Sequence, residues 1–260
     1  TPALLATYVA GGVNRVSFGV QSMVPEVLRA LGRTHDIENV TNAVDAARAA
    51  GLGSFNLDIM YGGAGESPAD WSRTLDAVLA LDPPHVSAYG LTIEAGTPLA
   101  ADPSRHPDDD DQADKYLAVT ERFAAAGLEW YEISNWARPG HECRHNLLYW
   151  SQGNYLAFGA AAHGHLDGTR FWNVRTPERY IDAVRHGRSP VAGREVLTTD
   201  VQRAEARQLA LRTTAGVPLD ALPEGDEAAV LDGLVAVQGD RAVLTVAGRL
   251  LANEVAIRLR

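Results

Sequence analysis

Residues 55–91, FNLDIMYGGAGESPADWSRTLDAVLALDPPHVSAYGL, hold one complete strand–helix–strand unit. Residues 55–61 read as a strand. Ser67, Pro68, Ala69 and Asp70 read as a helix start, where a short polar side chain takes up an orphan amide and proline fits the first turn. Trp71, Leu75 and Val78 then line one side of the helix. It stops before Pro83-Pro84, because the residue ahead of a proline is pushed out of the helical region. Residues 85–91 read as the second strand. Two strands joined by a helix pair in parallel through a right-handed crossover.

The alternation extends in both directions. Residues 2–10 read as a helix, with Thr1 as cap and Pro2 in its first turn. Residues 14–20 (NRVSFGV) read as a strand and residues 24–31 as a helix. A second helix follows over 37–50, where Ile37, Val40, Val44 and Ala47 recur on one face, Asp36 caps the start and Gly51 stops the end. Downstream, the acidic run 108–111 suits the positive end of a helix that continues to Ala126, and residues 129–134 (EWYEIS) read as a fourth strand. Four such units predict an α/β fold, either doubly wound or a partial (β/α) barrel. In both, chemistry gathers at the carboxyl ends of the strands.

Beyond Trp150 the texture changes. Residues 153–168 are rich in Gly and Ala and read as a close-packed or ligand-hugging stretch. From about residue 195 the reading is a helix through Leu211, a short helix over 227–234, a hairpin turning at Gly239-Asp240 and a last helix over 247–259. That order predicts a small winged-helix-like domain. The expected division is residues 1–140 as a partial barrel, 141–194 as a connecting segment and 195–260 as the winged-helix-like module.

Composition narrows the function classes. The 260 residues are 46% hydrophobic and 22% charged, ordinary for a globular protein. No apolar run is long enough to span a bilayer. A single cysteine, Cys143, makes no internal disulfide and points to a reducing, cytoplasmic setting. The formal net charge of -10 opposes nucleic acid as a partner. The residues at the barrel mouth are Gln21 and Ser22 after the first strand, Arg33 after the first crossover helix, Asp58 in the second strand, and Thr92 and Glu94 after the third. An amide, a guanidinium and a carboxylate at one opening form a polar cradle for a zwitterionic or ribose-bearing ligand. Each of them, taken singly, also reads as a strand-end or helix-end residue. The turn at residues 62–65 (GGAG) ahead of a capped helix is a weak phosphate motif, which leaves open a barrel enzyme for a phosphorylated metabolite. Cys143, His145, His163 and His165 do not follow a zinc spacing.

Seven stretches taken in order carry a resemblance: GVNRVSFGVQS (12–22), LGRTHD (31–36), NLDIMYGGAGES (56–67), HVSAYGLTIEAGT (85–97), DQADKY (111–116), WYEISNWARPGHECRHNLLYW (130–150) and FGAAAHGH (158–165). The chain resembles the oxygen-independent coproporphyrinogen III oxidase-like radical S-adenosylmethionine (SAM) proteins, and within them the heme chaperone HemW subgroup. The resemblance implies a partial (β/α) barrel, bound SAM, a [4Fe–4S] cluster, and heme. It places SAM on Gln21, Arg33 and Asp58. HNLLYW matches the His-Asn-x-x-Tyr-Trp signature of the chaperone subgroup and assigns heme handling to His145, Asn146, Tyr149 and Trp150. Imidazole is a common axial ligand of heme iron, so His145 is the first ligand choice, with Cys143 or His163 behind it. The implied function is heme binding and transfer to an acceptor protein, with a homodimer as a further partner option. The alternative is the oxidase of porphyrin synthesis itself. The family's Cys-x₃-Cys-x₂-Cys motif does not occur in these 260 residues. The expectation is therefore an amino-terminally truncated member that performs no radical chemistry as it stands. Ala64 stands where the family usually has proline, and FGAAAHGH has fewer glycines than usual; both are expected to slacken their turns.

Overall fold

The structure is a computed structural model that describes residues 1–259 and, at Glu227, the backbone alone. It divides into two compact units, Thr1–Glu142 and Cys143–Arg260.

The first unit runs α1 (Pro2–Ala10), β1 (Arg15–Gln21), α2 (Pro25–Ala30), α3 (Ile37–Ala49), β2 (Ser54–Tyr61), α4 (Pro68–Ala80), β3 (His85–Gly90), α5 (Asp109–Ala125), β4 (Glu129–Glu132) and β5 (Asn135–Ala137). The caps form as the sequence dictates. Asp36 accepts from the Asn39 amide at 2.8 Å. Ser67 and Asp70 close a reciprocal capping box on α4, and the hydrogen bonds from Ser67 hold the Asp70 carboxyl down at about 2.

The sheet order is β1-β2-β3-β5-β4. Strands β1, β2 and β3 pair in parallel, as the crossover helices require. The fourth parallel unit expected from the sequence is corrected. β4 turns back at once into β5, which pairs antiparallel with both β3 and β4. The short strand β5 thus occupies the position beside β3 that β4 was expected to take. The result is an open, partial barrel sheet.

Side chains alternate across this sheet, as a pleat demands. On one face, Val16 and Phe18 pack with Leu5, Ala47 and Leu52 of the α1–α3 layer. Tyr61 meets Trp71 of α4, and Trp136 meets Phe123 and Tyr116 of α5. Leu57, Ile59, Val86 and Ala88 are buried in the same parity. The opposite face carries Ser17, Asn56, Asp58, His85, Ser87 and Asn135, and it is hydrogen-bonded from strand to strand.

The second unit contains α6 (Arg144–Trp150), β6 (His163–Leu166), β7 (Thr169–Asn173), α7 (Pro177–Arg185), β8 (Val191–Val196), α8 (Thr199–Ala210), β9 (Val217–Pro218), α9 (Asp226–Val230), β10 (Val235–Gln238), β11 (Arg241–Leu244), α10 (Val246–Leu250) and α11 (Ala252–Ala256). The Gly/Ala-rich stretch leads into a three-stranded antiparallel sheet, β6-β7-β8. Asp167 and Gly168 turn the β6–β7 hairpin, both with positive φ, the geometry that favours Asp-Gly in two-residue turns. The hairpin expected at Gly239-Asp240 forms between β10 and β11, and β9 completes a second three-stranded sheet. With α8 and α9 this is the winged-helix-like arrangement. The final helix expected over 247–259 is instead two short helices that meet at Leu251, whose φ of -110° and ψ of 26° leave the helical region. Among the described residues no helix is long and apolar enough to cross a membrane.

Candidate functional site

The carboxyl end of β1 carries Gln21, and β2 places Asp58 in register with Gly19 two residues before it. β1 carries a bulge between Gly19 and Gln21, and Gln21 has a φ of 64°. A bulge re-aims a strand-end side chain. The Gln21 amide nitrogen consequently lies 2.9 Å from where a Cβ on Gly19 would sit. Gly19 is in register with Asp58, so the missing side chain at Gly19 lets an amide lie beside a carboxylate. A Gly19→Ala substitution is expected to displace the Gln21 amide and weaken any ligand shared by Gln21 and Asp58 by several-fold, as read by titration calorimetry; an unchanged affinity would reject that placement.

Arg33 follows α2 on an exposed loop. His35, two residues on, donates from Nε2 to the Val20 carbonyl at 2.9 Å and ties this loop to the same end of β1. The guanidinium makes no hydrogen bond or ion pair among the described residues. Ser22 belongs to the interior instead. It is fully buried, its hydroxyl lies 3.1 Å from that of Thr74 and accepts from the Val24 amide. Thr92 and Glu94 are exposed and serve their own loop, Thr92 bonding back to Gly90 and the Glu94 carbonyl accepting from Thr97.

The glycine-rich turn spends its first amide internally. The Gly62 amide donates to Glu66 Oε2 at 2.7 Å. Glu66 is buried and ion-paired at 3.1 Å with Lys115, which also reaches Asp111 Oδ2 at 2.6 Å and the Glu66 carbonyl at 3.0 Å. Burial pushes the Glu66 carboxyl up despite this cation. An internal carboxylate thus takes the Gly62 amide that an external anion would need, which counts against the phosphate reading of residues 62–65. Gly62 itself has a φ of 85° and lies under the Gln112 side chain, so a residue with a Cβ is strained in this turn.

Sequence reasoning missed the polar row behind Asp58. Asp58 accepts from Ser17 at 2.6 Å and from Asn56 at 2.7 Å. Asn56 also donates to Ser87 at 2.8 Å, and Ser87 donates to Asn135 at 2.6 Å. Asn135 in turn donates to Glu132. The period-two placement of Asn56 and Asp58, and of His85 and Ser87, was the available signal for a polar inner face.

In the second unit, HNLLYW forms most of α6. Residues four apart share a helix face. His145 and Tyr149 are exposed, with the phenol 2.8 Å from the imidazole Nε2 and the rings edge-to-face at 4.6 Å. Asn146 and Trp150 form the other such pair and are half-buried. Tyr149 continues to Tyr155 at 4.5 Å, and Tyr155 to His165 at 6.2 Å. His163 stacks on Trp172. Cys143 sits half-buried at the start of α6. Among the described residues no three His, Cys, Asp or Glu side chains cluster as a metal site.

Comparison with known proteins accords with this architecture. Residues 1–78 match the model of the radical SAM superfamily. The solved coproporphyrinogen III oxidase (HemN) of Escherichia coli, a radical SAM enzyme, superposes with a TM-score of 0.82 over 99% of this chain and 66% of its own, at 21% identity. The fold is therefore that of the radical SAM class. Heme chaperone HemW of Mycobacterium tuberculosis (strain ATCC 25618 / H37Rv) is 44% identical over 98% of this chain and 67% of its own length. Heme chaperone HemW of Bacillus subtilis (strain 168) is 36% identical over 94% of this chain and 69% of its own. The chain belongs to the heme chaperone HemW family, and it spans about two thirds of the length of these relatives.

Proposed function

We propose that the protein binds heme through α6 and passes it to an acceptor protein, and that its strand-end cluster binds SAM. The observation that carries the heme reading is the exposed His145–Tyr149 pair. With Nε2–H of His145 donating to the Tyr149 hydroxyl oxygen, the ring is oriented and Nδ1 keeps the lone pair for iron. A ring nitrogen fixed by a hydrogen bond is how proteins orient imidazole ligands. Tyr149 and Trp150 supply aromatic faces suited to a porphyrin, and Asn146 lies on the Trp150 side of the helix. Heme supplies the iron and the flat apolar surface; the chain supplies ligand, orientation and stacking.

SAM fits the first unit's donors. Its carboxylate suits the open guanidinium of Arg33, and its ammonium and hydroxyls suit the Asp58 carboxylate and the Gln21 amide. A [4Fe–4S] cluster does not fit these residues, since such clusters are held by several thiolates and Cys143 is the single cysteine of the sequence. The single cysteine also supports a cytoplasmic setting.

Hemin titration followed by Soret absorbance tests the heme assignment. His145→Ala is expected to weaken hemin at least tenfold, about 1.4 kcal/mol, and to change the spectrum. Tyr149→Phe is expected to retain the ligand and weaken binding less. Unchanged affinity and spectrum in His145→Ala would remove the assignment. Titration calorimetry with SAM tests the strand-end cluster, where Asp58→Ala is expected to abolish measurable heat.

A further inference from the structure

The hydrogen bonds behind Asp58 run in one direction. A carboxylate only accepts, so Ser17 Oγ–H and Asn56 Nδ2–H must both donate to Asp58. With its nitrogen committed to donating, Asn56 uses Oδ1 as acceptor, and His85 Nδ1–H donates to it at 2.6 Å. A neutral imidazole has one N–H, so His85 Nε2 must accept from the Tyr131 hydroxyl, 2.8 Å away. His85 is 1% exposed and Asn56 is buried. Burial, aided by Arg15 and His141, holds the His85 imidazole down at about 3, which keeps this donor order fixed at neutral pH. Every polar atom of the Asn56 side chain is thus engaged, and its amide plane cannot turn without breaking bonds to His85, Ser87 and Asp58 together.

We infer that Asn56, clamped by His85, is a positioning residue that sets the direction of the Asp58 carboxylate toward the strand-end ligand. The inference rests on the SAM reading for the identity of that ligand. Asn56 itself touches no ligand; it acts through Asp58. Asp58 is only partly buried, so without the Asn56 bond its carboxylate is held by Ser17 alone and turns more readily toward solvent.

A double-mutant cycle tests this. Asn56→Ala is expected to weaken SAM about tenfold by titration calorimetry in the native background. In the Asp58→Ala background it is expected to change nothing further, because the carboxylate it orients is gone. Competition against a labelled nucleoside analogue extends the range where direct heats are small. His85→Gln, which keeps a donor for Asn56, is expected to hold affinity within threefold, whereas His85→Ala loses it. A general packing defect predicts additive losses and no rescue, and either result would overturn the inference. Should the native chain show no SAM binding, the SAM reading itself falls, and ligand-free protein still decides the positioning role. There, NMR side-chain couplings are expected to show one Asp58 χ1 rotamer in the native chain and an averaged value in Asn56→Ala. A single rotamer in both would reject positioning.

Discussion

Replacing Lys115 by Met is expected to lower stability by about 3–5 kcal/mol, the usual cost of removing one partner of a buried ion pair. Lys115 is the only lysine of the sequence, and its side chain is 2% exposed. Its removal strands the Glu66 carboxylate, whose side chain is wholly buried and which holds the Gly62 amide. The loss follows pH in a defined sense. Burial already raises the Glu66 carboxyl, while Lys115 opposes that rise. Without Lys115 the folded state binds a proton at Glu66 more readily than the unfolded chain does. A group raised in the folded state contributes most below its unfolded value and loses that contribution as pH rises through the folded value. The variant should accordingly be closer to native stability at pH 5 than at pH 7.5. Urea unfolding at both pH values checks this, and the Lys115→Met, Glu66→Gln pair should recover much of the loss, since a neutral amide is less costly to bury alone than a charge. Equal losses at both pH values would show that Glu66 is not the group left stranded.

That lysine also marks how far the sequence could be read. Local signals were legible: the caps at Asp36 and Ser67, the apolar stripe of α4, and the three parallel strands all lie within windows of a dozen residues. Lys115 was not legible as an interior cation, because on a helix with an acidic first turn it reads as a solvated charge and its partner Glu66 lies 49 residues away. Strand β5 was missed because three residues after a tight turn show no periodicity; only the long-range register of His85 with Ala137 defines it. The β6–β7 hairpin is a different case, since Asp167-Gly168 is a strong local turn signal that the Gly-rich composition of 153–168 obscured. Of the site, Gln21 and Asp58 were legible as strand-end residues, and the bare Gly19, in register with Asp58, leaves room for the Gln21 amide. Arg33 was legible as a loop cation, and the bond from His35 to Val20 explains why its loop stays at that strand end. The Asn56–His85 clamp needed the sheet order, since it joins β2 to β3.

The second large effect concerns that same histidine. Its imidazole is held down at about 3 in the folded chain by burial, against about 6.5 when unfolded. Between those values the unfolded state binds a proton that the folded state refuses, so stability rises with pH across that window and falls on acidification. Taking the native protein from pH 7 to pH 4.5 should remove about 3 kcal/mol through His85 alone, at about 1.4 kcal/mol per pH unit below 6.5. Glu66, raised in the folded state, works in the opposite sense as pH falls, so the total slope is not the quantity to compare. The difference between native protein and His85→Gln isolates the histidine, because glutamine retains a donor for Asn56 but does not titrate. Urea unfolding at pH 7 and 4.5 should show the native chain more stable at pH 7 and its advantage lost or reversed at pH 4.5. A constant difference at both values would mean that His85 takes up its proton inside the fold. The one-way order of donors from Tyr131 through His85 and Asn56 to Asp58 would then be lost on acidification, because a doubly protonated ring has no lone pair left to accept from the phenol.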